Sequence, residues 1–229
     1  MSRYAWYAAD WPVQMRELAD RLRELAFTSA STEGFVVERS RDQSLDATYL
    51  RKVVSSEPRL DPFGQVIAQQ EVSYQQVPFL ASSDGIGLEL VDAPRATQRF
   101  VSKLLEVCDF RLTIKPLNVD VERWASQIAS QLDVEGVFEA IQISGIDLGQ
   151  GTTAKVTARG RREVLASVKR FVPVPHVVER LQVRLEGAYK GSTLVLGHLG
   201  TAKVSAKDEL ELHGVLRSTL LASLRLAEG

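Results

Sequence analysis

Cysteine and histidine are scarce in this sequence, and their scarcity excludes several kinds of protein. Among 229 residues the only cysteine is Cys108, so no disulfide can form within the chain. The three histidines, His176, His198 and His213, are too far apart to have the ligand spacing of a zinc site. We therefore expect no disulfide scaffold, no metal and no cofactor.

Long apolar runs are also absent. No stretch approaches the 18 uninterrupted apolar residues that would indicate a transmembrane helix. The N-terminal sequence MSRYAWYAADWP lacks the apolar segment of a signal peptide. Together with the single cysteine, these absences predict a soluble, cytoplasmic protein that does not act at a membrane.

Familiar catalytic signatures are missing too. No G-x-S-x-G turn presents a nucleophile, and the glycine-rich stretch 145–151 has neither phosphate-loop order, so it is interpreted as a hairpin loop. Cys108 lies on the apolar stripe of a predicted helix, which favours a buried structural thiol. Glu209 and His213 have i, i+4 spacing but lack the second histidine of a metalloprotease helix. An enzyme built on scattered carboxylates remains the weaker alternative.

Charge is plentiful but unevenly distributed. The net charge is −1, yet residues 1–150 hold 15 Lys and Arg against 22 Asp and Glu, and residues 151–229 hold 13 against 7. The chain therefore has an acidic and a basic portion. Such a bipolar molecule is suited to docking against a charged partner or against its own copy.

Apolar periodicity predicts alternating strands and helices. Predicted helices cover 11–26, 92–109, a segment from Asn118 or Asp120 to 132, 161–171, and a final helix from Asp208. Predicted strands cover 3–8, 35–40, 48–56, 65–82, 86–91, 110–115, 137–144, 152–159, 177–186, 192–199 and 201–206.

Four local predictions are specific enough to be compared with the structure. Pro58 is expected to interrupt the strands around it. Phe110 is expected on the buried face of a strand, and Phe171 on the buried side of a helix. Asp208 and Glu211 have the spacing of a capping box.

The order of elements repeats along the chain as strand, helix, a run of strands, helix. We therefore expect an α+β protein of two tandem pseudo-repeated halves, 1–109 (acidic) and 110–229 (basic). Each half is expected to be a largely antiparallel sheet covered by two helices, the two forming one compact unit. In element order the chain resembles the saddle of the TATA-binding protein. No residue motif of that family is matched and the helix at 161–171 is additional, so the resemblance implies a shape and no activity.

A shorter repeat is visible in the residues themselves, as GTTAKVTA at 151–158 and GTAKVSA at 200–206. Since side chains alternate across a strand, the alanines and valines of both copies point one way. The other side then carries Thr153, Lys155, Thr157 and Arg159 in the first copy and Thr201, Lys203, Ser205 and Lys207 in the second. If the two strands share a sheet, they form a polar, cationic face.

Basic residues of the C-terminal half are the candidate site, for nucleic acid or for an acidic partner. Clustered cations bind phosphate backbones because they release condensed counterions, although cations also serve as solvated surface or block strand edges. The candidate residues are Lys155, Arg159, Arg161, Arg162, Lys169, Arg170, Lys203 and Lys207. The favoured function is a non-enzymatic binding or adaptor protein acting through protein–protein interaction or self-association. The alternative is nucleic-acid binding by the basic half.

Overall fold

The computed structural model of the chain describes residues 1–60, 66–161 and 164–224, without the side chains of 57–60 and 66–69. This described part contains five helices and eleven strands, and its registered strand pairs are antiparallel, which confirms a mixed α+β fold. The helices are α1 (Met15–Glu24), α2 (Gln98–Val107), α3 (Val121–Leu132), α4 (Val164–Phe171) and α5 (Glu209–Leu220). The strands are β1 (Ser2–Asp10), β2 (Glu33–Ser40), β3 (Ser44–Leu60), β4 (Val66–Ser82), β5 (Leu88–Val91), β6 (Thr113–Pro116), β7 (Gly136–Gly149), β8 (Thr152–Arg159), β9 (Val177–Leu185), β10 (Thr193–Gly197) and β11 (Thr201–Ser205).

Contacts divide the chain into two compact units. The first unit is Ala9–Ile114, and the second unit combines Met1–Ala8 with Lys115–Gly229. Most of β1 therefore belongs with the C-terminal part of the chain, although it comes first in sequence. None of the described helices is both long and apolar enough to cross a membrane.

The first unit is a meander of β2, β3, β4 and β5 with α1 and α2 packed on it. Its core is aromatic: Phe79 and Phe100 have ring centroids 5.0 Å apart, and Tyr49 lies 5.7 Å from Phe100. Phe35 packs 5.4 Å from Tyr49 and completes the group. Since each of these rings is 4% exposed or less, they bury much of the unit's apolar surface.

One carboxylate joins two strands of this unit to α2. Glu33 on β2 has a side chain that is 14% exposed, and it accepts two hydrogen bonds from Arg99, of 2.8 and 2.6 Å. The Tyr49 hydroxyl donates a third, of 2.7 Å, and the Lys103 ammonium lies 3.8 Å away. The bonds from Arg99, above all, hold the pKa of Glu33 at about 2, and burial together with Glu33 raises the pKa of Tyr49.

The expected interruption at Pro58 is wrong, because β3 continues to Leu60 and pairs with β4 over its whole length. Proline lacks an N–H group, so a strand accepts it only where no ladder bond is needed. The register of β2 with β3 ends at Arg51, which leaves the outer side of β3 without a strand neighbour at Pro58. Chain position alone could not reveal that this stretch lies at an edge.

The second unit contains a sheet in the order β8-β7-β9-β10-β11-β1. Trp6 of β1 and Trp124 of α3 are fully buried and meet edge to face, 5.8 Å between ring centroids. The Trp124 indole N–H is shared between the carbonyl of Leu216 (3.2 Å) and the hydroxyl of Thr219 (3.1 Å) on α5. These contacts bring β1, α3 and α5 together around one buried centre.

Gly200 allows the turn before β11 to pass close to β1. Its φ of +71° is in the left-handed region, and a Cβ added there would lie 2.9 Å from the Trp6 carbonyl oxygen. The Trp6 N–H donates to the Gly200 carbonyl at 2.8 Å. Only glycine fits this approach without strain.

Three further local predictions are wrong. Phe110 is 74% exposed, because its φ of +57° turns the chain before β6 begins. Phe171 is 83% exposed, since α4 ends at this residue and buries Val164 and Val168 instead. Asp208 occupies the N-cap of α5 but makes no capping hydrogen bond there. The hairpin predicted at 145–151 joins β7 to β8, and its turn is at Gln150 and Gly151 because β7 runs on to Gly149.

The helix cap at Asp120 gives a matched pair of stability predictions. Asp120 accepts a 3.0 Å hydrogen bond from the Arg123 N–H at the start of α3. We expect Asp120→Ala to lower the free energy of unfolding by about 1 kcal/mol, because a helix N–H loses its partner. Asp208→Ala is the control, and a small change is expected there. Urea denaturation of both variants checks this; equal losses would contradict it.

Candidate functional site

The sheet of the second unit has one covered face and one face with exposed polar side chains. On β11, Ala202 and Val204 are buried while Thr201, Lys203 and Ser205 are exposed, as the alternation predicts. The helices α3 and α5 pack on the strands from the covered side, where the buried core residues lie. We call the other side the open face.

Strand register aligns the two repeated strands on the open face. Lys203 on β11 pairs with Val195 on β10, and Val195 pairs with Gln182 on β9. Gln182 pairs with Ala140 on β7, which pairs with Arg159 on β8. The strands that carry the short sequence repeat therefore share a sheet, and Lys203 and Arg159 lie in one row that crosses it.

Cations outnumber carboxylates on this face. Among the described residues of these strands, six cationic side chains lie on the open face against three carboxylates. The cations are Arg3, Lys155, Arg159, Arg180, Arg184 and Lys203, and the carboxylates are Glu139, Asp147 and Glu179. The remaining polar positions carry threonine, serine and glutamine. The face therefore has a net positive charge, which an acidic partner would favour.

Two of the carboxylates neutralise specific cations. Glu179 pairs with Lys155 on β8 and accepts a 2.6 Å hydrogen bond from the Gln142 amide on β7. The bond from Lys155, above all, lowers the pKa of Glu179 to about 2. These contacts link three neighbouring strands. The Glu179 carboxylate is therefore bound by partners within the sheet.

Glu139 has the same role closer to the start of β7. It accepts hydrogen bonds from the Arg184 guanidinium at 2.7 Å and from the Gln182 amide at 3.1 Å. Arg184 also pairs with Glu186, and its two carboxylate partners raise the pKa of Arg184. Arg184 is therefore committed to contacts within the protein.

Three cations of the open face have no ion-pair partner among the described residues. Arg159, Arg180 and Lys203 form no ion pair with any other described residue, and all three are exposed. Arg180 lies on β9, two strands from β8 and two from β11, in the neighbouring row. At the usual strand spacing, its Cα is about 12 Å from those of Arg159 and Lys203. We call these three residues the cationic triad.

The two predicted site residues of α4 lie away from this face. Lys169 and Arg170 lie on α4, and the Lys169 ammonium is 2.5 Å from the Glu122 carboxylate of α3, on the helical side of the sheet. Arg161 is exposed in the loop after β8, and Lys207 is exposed after the end of β11. Arg162 lies outside the described residues. The tertiary structure thus brings Lys155, Arg159 and Lys203 together, but not the helix cations.

Sequence reasoning missed the contribution of β9 to the site. Arg180, Gln182 and Arg184 alternate with the buried Leu181, Val183 and Leu185. This strict period of two was visible in VVERLQVRLE, and it would have placed the two arginines on one face. Arg3 on β1 lies directly across from Lys203 on β11. Only the long-range pairing of these two strands reveals that the two residues are neighbours.

A groove between β7 and α4 contains carboxylates but not an obvious catalytic arrangement. Its charged lining residues are Glu135, Lys169 and Glu186. Lys169 is paired with Glu122, and Glu186 is paired with Arg184. These interactions hold the surrounding elements together and favour a structural role for the groove.

The remaining candidates for reactive chemistry, one thiol and the Glu209–His213 pair, are buried or bound to neighbouring residues. Cys108 is buried at the end of α2, and burial raises its pKa to about 11. Glu209 pairs with the N-terminal amine and Ser2, whereas the His213 ring stacks on Tyr4 at 4.6 Å. The described residues contain no group of three side chains arranged to hold a metal ion.

In comparisons with protein-family models and with curated proteins, this sequence matches none.

Proposed function

We propose that this chain is a non-enzymatic binding protein that docks the acidic surface of a partner protein on its open face. The observation that supports this most directly is the cationic triad, three exposed cations without ion pairs on a sheet face whose other charges are largely paired. Paired charges keep the sheet in register, while unpaired ones attract a partner of opposite sign. A polar face that extends over several strands suits a broad protein surface better than a small ligand, which needs a concave site.

The composition of the open face favours a protein over single-stranded nucleic acid. Proteins that hold single strands stack bases on exposed aromatic rings. The one aromatic ring at an outward position of the described open-face strands, Tyr7, is partly buried, and threonine, serine and glutamine stand between the cations. Hydroxyl and amide groups of this kind hydrogen-bond readily to the carboxylates of a protein partner.

Charge reversal at the cationic triad tests this proposal. We expect Arg159→Glu, Arg180→Glu and Lys203→Glu together to weaken binding to polyglutamate at least tenfold, because attraction becomes repulsion. The matched control reverses Arg39, Arg41 and Arg95, three exposed cations of the first unit, and should change affinity less than twofold. Fluorescence anisotropy of labelled polyglutamate over a salt series measures both variants.

Proteins that co-purify with the chain from its native cells give the second readout. The triad variant should lose the partners that the wild type and the control variant retain. Circular dichroism would establish that all three proteins are folded. Equal polyglutamate affinity and equal co-purification for the wild type and the triad variant would contradict the proposal.

Nucleic-acid binding by the same unit is the second candidate. It is favoured by Arg161, which extends the cationic end of β8 beyond Arg159. Affinity for duplex or single-stranded oligonucleotides should then fall steeply with salt, and Arg159→Glu with Arg161→Glu should reduce the salt slope. Undetectable oligonucleotide binding at low salt would exclude this candidate and leave protein docking.

We further propose that the two halves of the chain, 1–109 and 110–229, arose by internal duplication. The order β1, α1, then β2 to β5, then α2 matches β6, α3, then β7, β9, β10 and β11, then α5, if β8 and α4 are an insertion. Both four-strand sets are meanders, since β9 pairs with β7 and with β10. A saddle-like shape is part of this proposal. A cytoplasmic location is proposed separately, from the single cysteine.

A further inference from the structure

The hairpin of β3 and β4 extends well beyond its neighbours in the first unit. The two strands pair continuously from Ser44 with Ser82 to Leu60 with Val66. The register of β2 with β3 stops at Arg51, and that of β5 with β4 begins only at Phe79. Within the described part of the chain, the outer part of the hairpin is therefore a ribbon of two strands with no further strand paired to either edge. Two-stranded ribbons are marginal by themselves in water.

The two edges of this ribbon differ in their protection against pairing. The β3 edge starts with Arg51 and Lys52, the Lys52 N–H donates to the Thr32 carbonyl at 2.8 Å, and Pro58 removes a donor further out. The β4 edge over 70–76 reads QEVSYQQ, with one charge, and its proline, Pro78, stands beyond this stretch, next to the start of the β5 pairing. Charges, proline and covering segments are the usual means of blocking an edge, and the β4 edge has almost none.

One face of the ribbon also carries exposed apolar side chains. Val54 and Val72 are cross-strand partners, 54% and 48% exposed, and Tyr74 lies on the same face with 54% exposed. Association with another molecule would remove the exposed surface of these neighbouring apolar side chains from water. The unprotected edge and the apolar face thus occur on the same stretch of β4.

We propose that this edge of β4 pairs antiparallel with the same edge of a second copy of the chain, about a two-fold axis at Val72. Paired residues of neighbouring strands point to the same face. The two-fold axis must therefore lie where a residue pairs with its own counterpart, and not between two residues. An axis at Val72 aligns Val54, Val72 and their two counterparts in one row of four valines. It also sets Glu71 opposite Ser73 of the second copy.

Charge favours this register over the one whose axis passes through Glu71. An axis at Glu71 would place two carboxylates face to face, which is destabilising on a sheet. At Val72 the single charge of the edge meets a hydroxyl instead. An isologous pairing of this kind closes as a dimer and leaves no free β4 edge for further growth. The inference concerns the first unit and is independent of the cationic triad.

Disulfide trapping tests the register directly. Val72→Cys should form a covalent dimer under mild oxidation, because the two thiols lie opposite each other across the axis. Val54→Cys is the matched control, since its counterpart would be three strand spacings away, about 14 Å, beyond disulfide reach. The only native cysteine, Cys108, is buried and does not compete.

Light scattering with sedimentation tests the association itself. The wild type should be a dimer, and Val72→Lys should weaken dimerisation at least tenfold by opposing two ammonium groups. Val36→Lys, at another exposed valine, on β2, should leave it within twofold. A wild type that stays monomeric at all concentrations would overturn the inference. So would a dimer that neither responds to Val72→Lys nor cross-links through Cys at position 72.

Discussion

Replacing Trp124 with alanine should lower the free energy of unfolding of the second unit by about 3–5 kcal/mol. Trp124 is fully buried between Trp6 and α5, so alanine would leave a large cavity at the meeting point of β1, α3 and α5. The loss has a packing part and a hydrogen-bond part. Urea denaturation followed by circular dichroism measures the total.

Trp124→Phe separates the two contributions. Phenylalanine retains most of the ring but leaves the Leu216 carbonyl and the Thr219 hydroxyl without their indole donor. We expect a loss of about 1–2 kcal/mol, smaller than that of alanine. If Trp124→Ala cost no more than Trp124→Phe, the central packing role assigned to this side chain would be wrong.

Neutralising Glu33 should be the most damaging single change of charge in the first unit. Glu33→Gln keeps the shape but removes the charge that Arg99 and Tyr49 bind, and we expect a loss of about 2–3 kcal/mol at neutral pH. Glu38→Gln, on the same strand, is the comparison, because Glu38 is exposed and accepts a hydrogen bond from the Thr48 hydroxyl. Equal losses for the two variants would contradict the special role of Glu33.

The pH dependence of stability follows from the same carboxylate. The pKa of Glu33 is about 2 in the folded protein and 4.5 as its ordinary value, so between these pH values the unfolded chain binds more protons. The stabilisation is complete above about pH 4.5 and is lost as the pH falls towards 2. Glu33→Gln should flatten this part of the stability curve, and an unchanged slope would argue against the assignment.

Local patterns predicted much of the fold and part of the site. The alternation in β8 and β11 placed Lys155, Arg159 and Lys203 on exposed positions, and the structure confirms those positions. Position in the sequence groups the helix cations with these residues, because they are close along the chain. Lys169 instead lies on the helical side, since α4 turns its apolar residues towards the sheet. Sequence proximity is a poor guide to which surface a residue shares.

The errors at Pro58 and Phe110 have a common cause. Each was a local rule applied without knowledge of the neighbours in space. Pro58 is accepted because no strand is paired on that side of β3, and Phe110 is exposed because its backbone turns there. Sequence propensity gives the conformation that a residue favours on average. The neighbouring strands in the fold decide whether another conformation is possible at a given position.

The sequence by itself determined the α+β class, the side-chain alternation of the strands, the single unpaired thiol and the excess of positive charge after residue 150. Only the tertiary structure decided which strands are neighbours: β1 beside β11, β9 beside β7, and none of the described strands beside the outer part of β4. The physical reason is that alternation is a property of the backbone of one strand. Pairing depends on hydrogen bonds and packing between segments far apart in the chain, and those bonds bring Arg159, Arg180 and Lys203 onto one face.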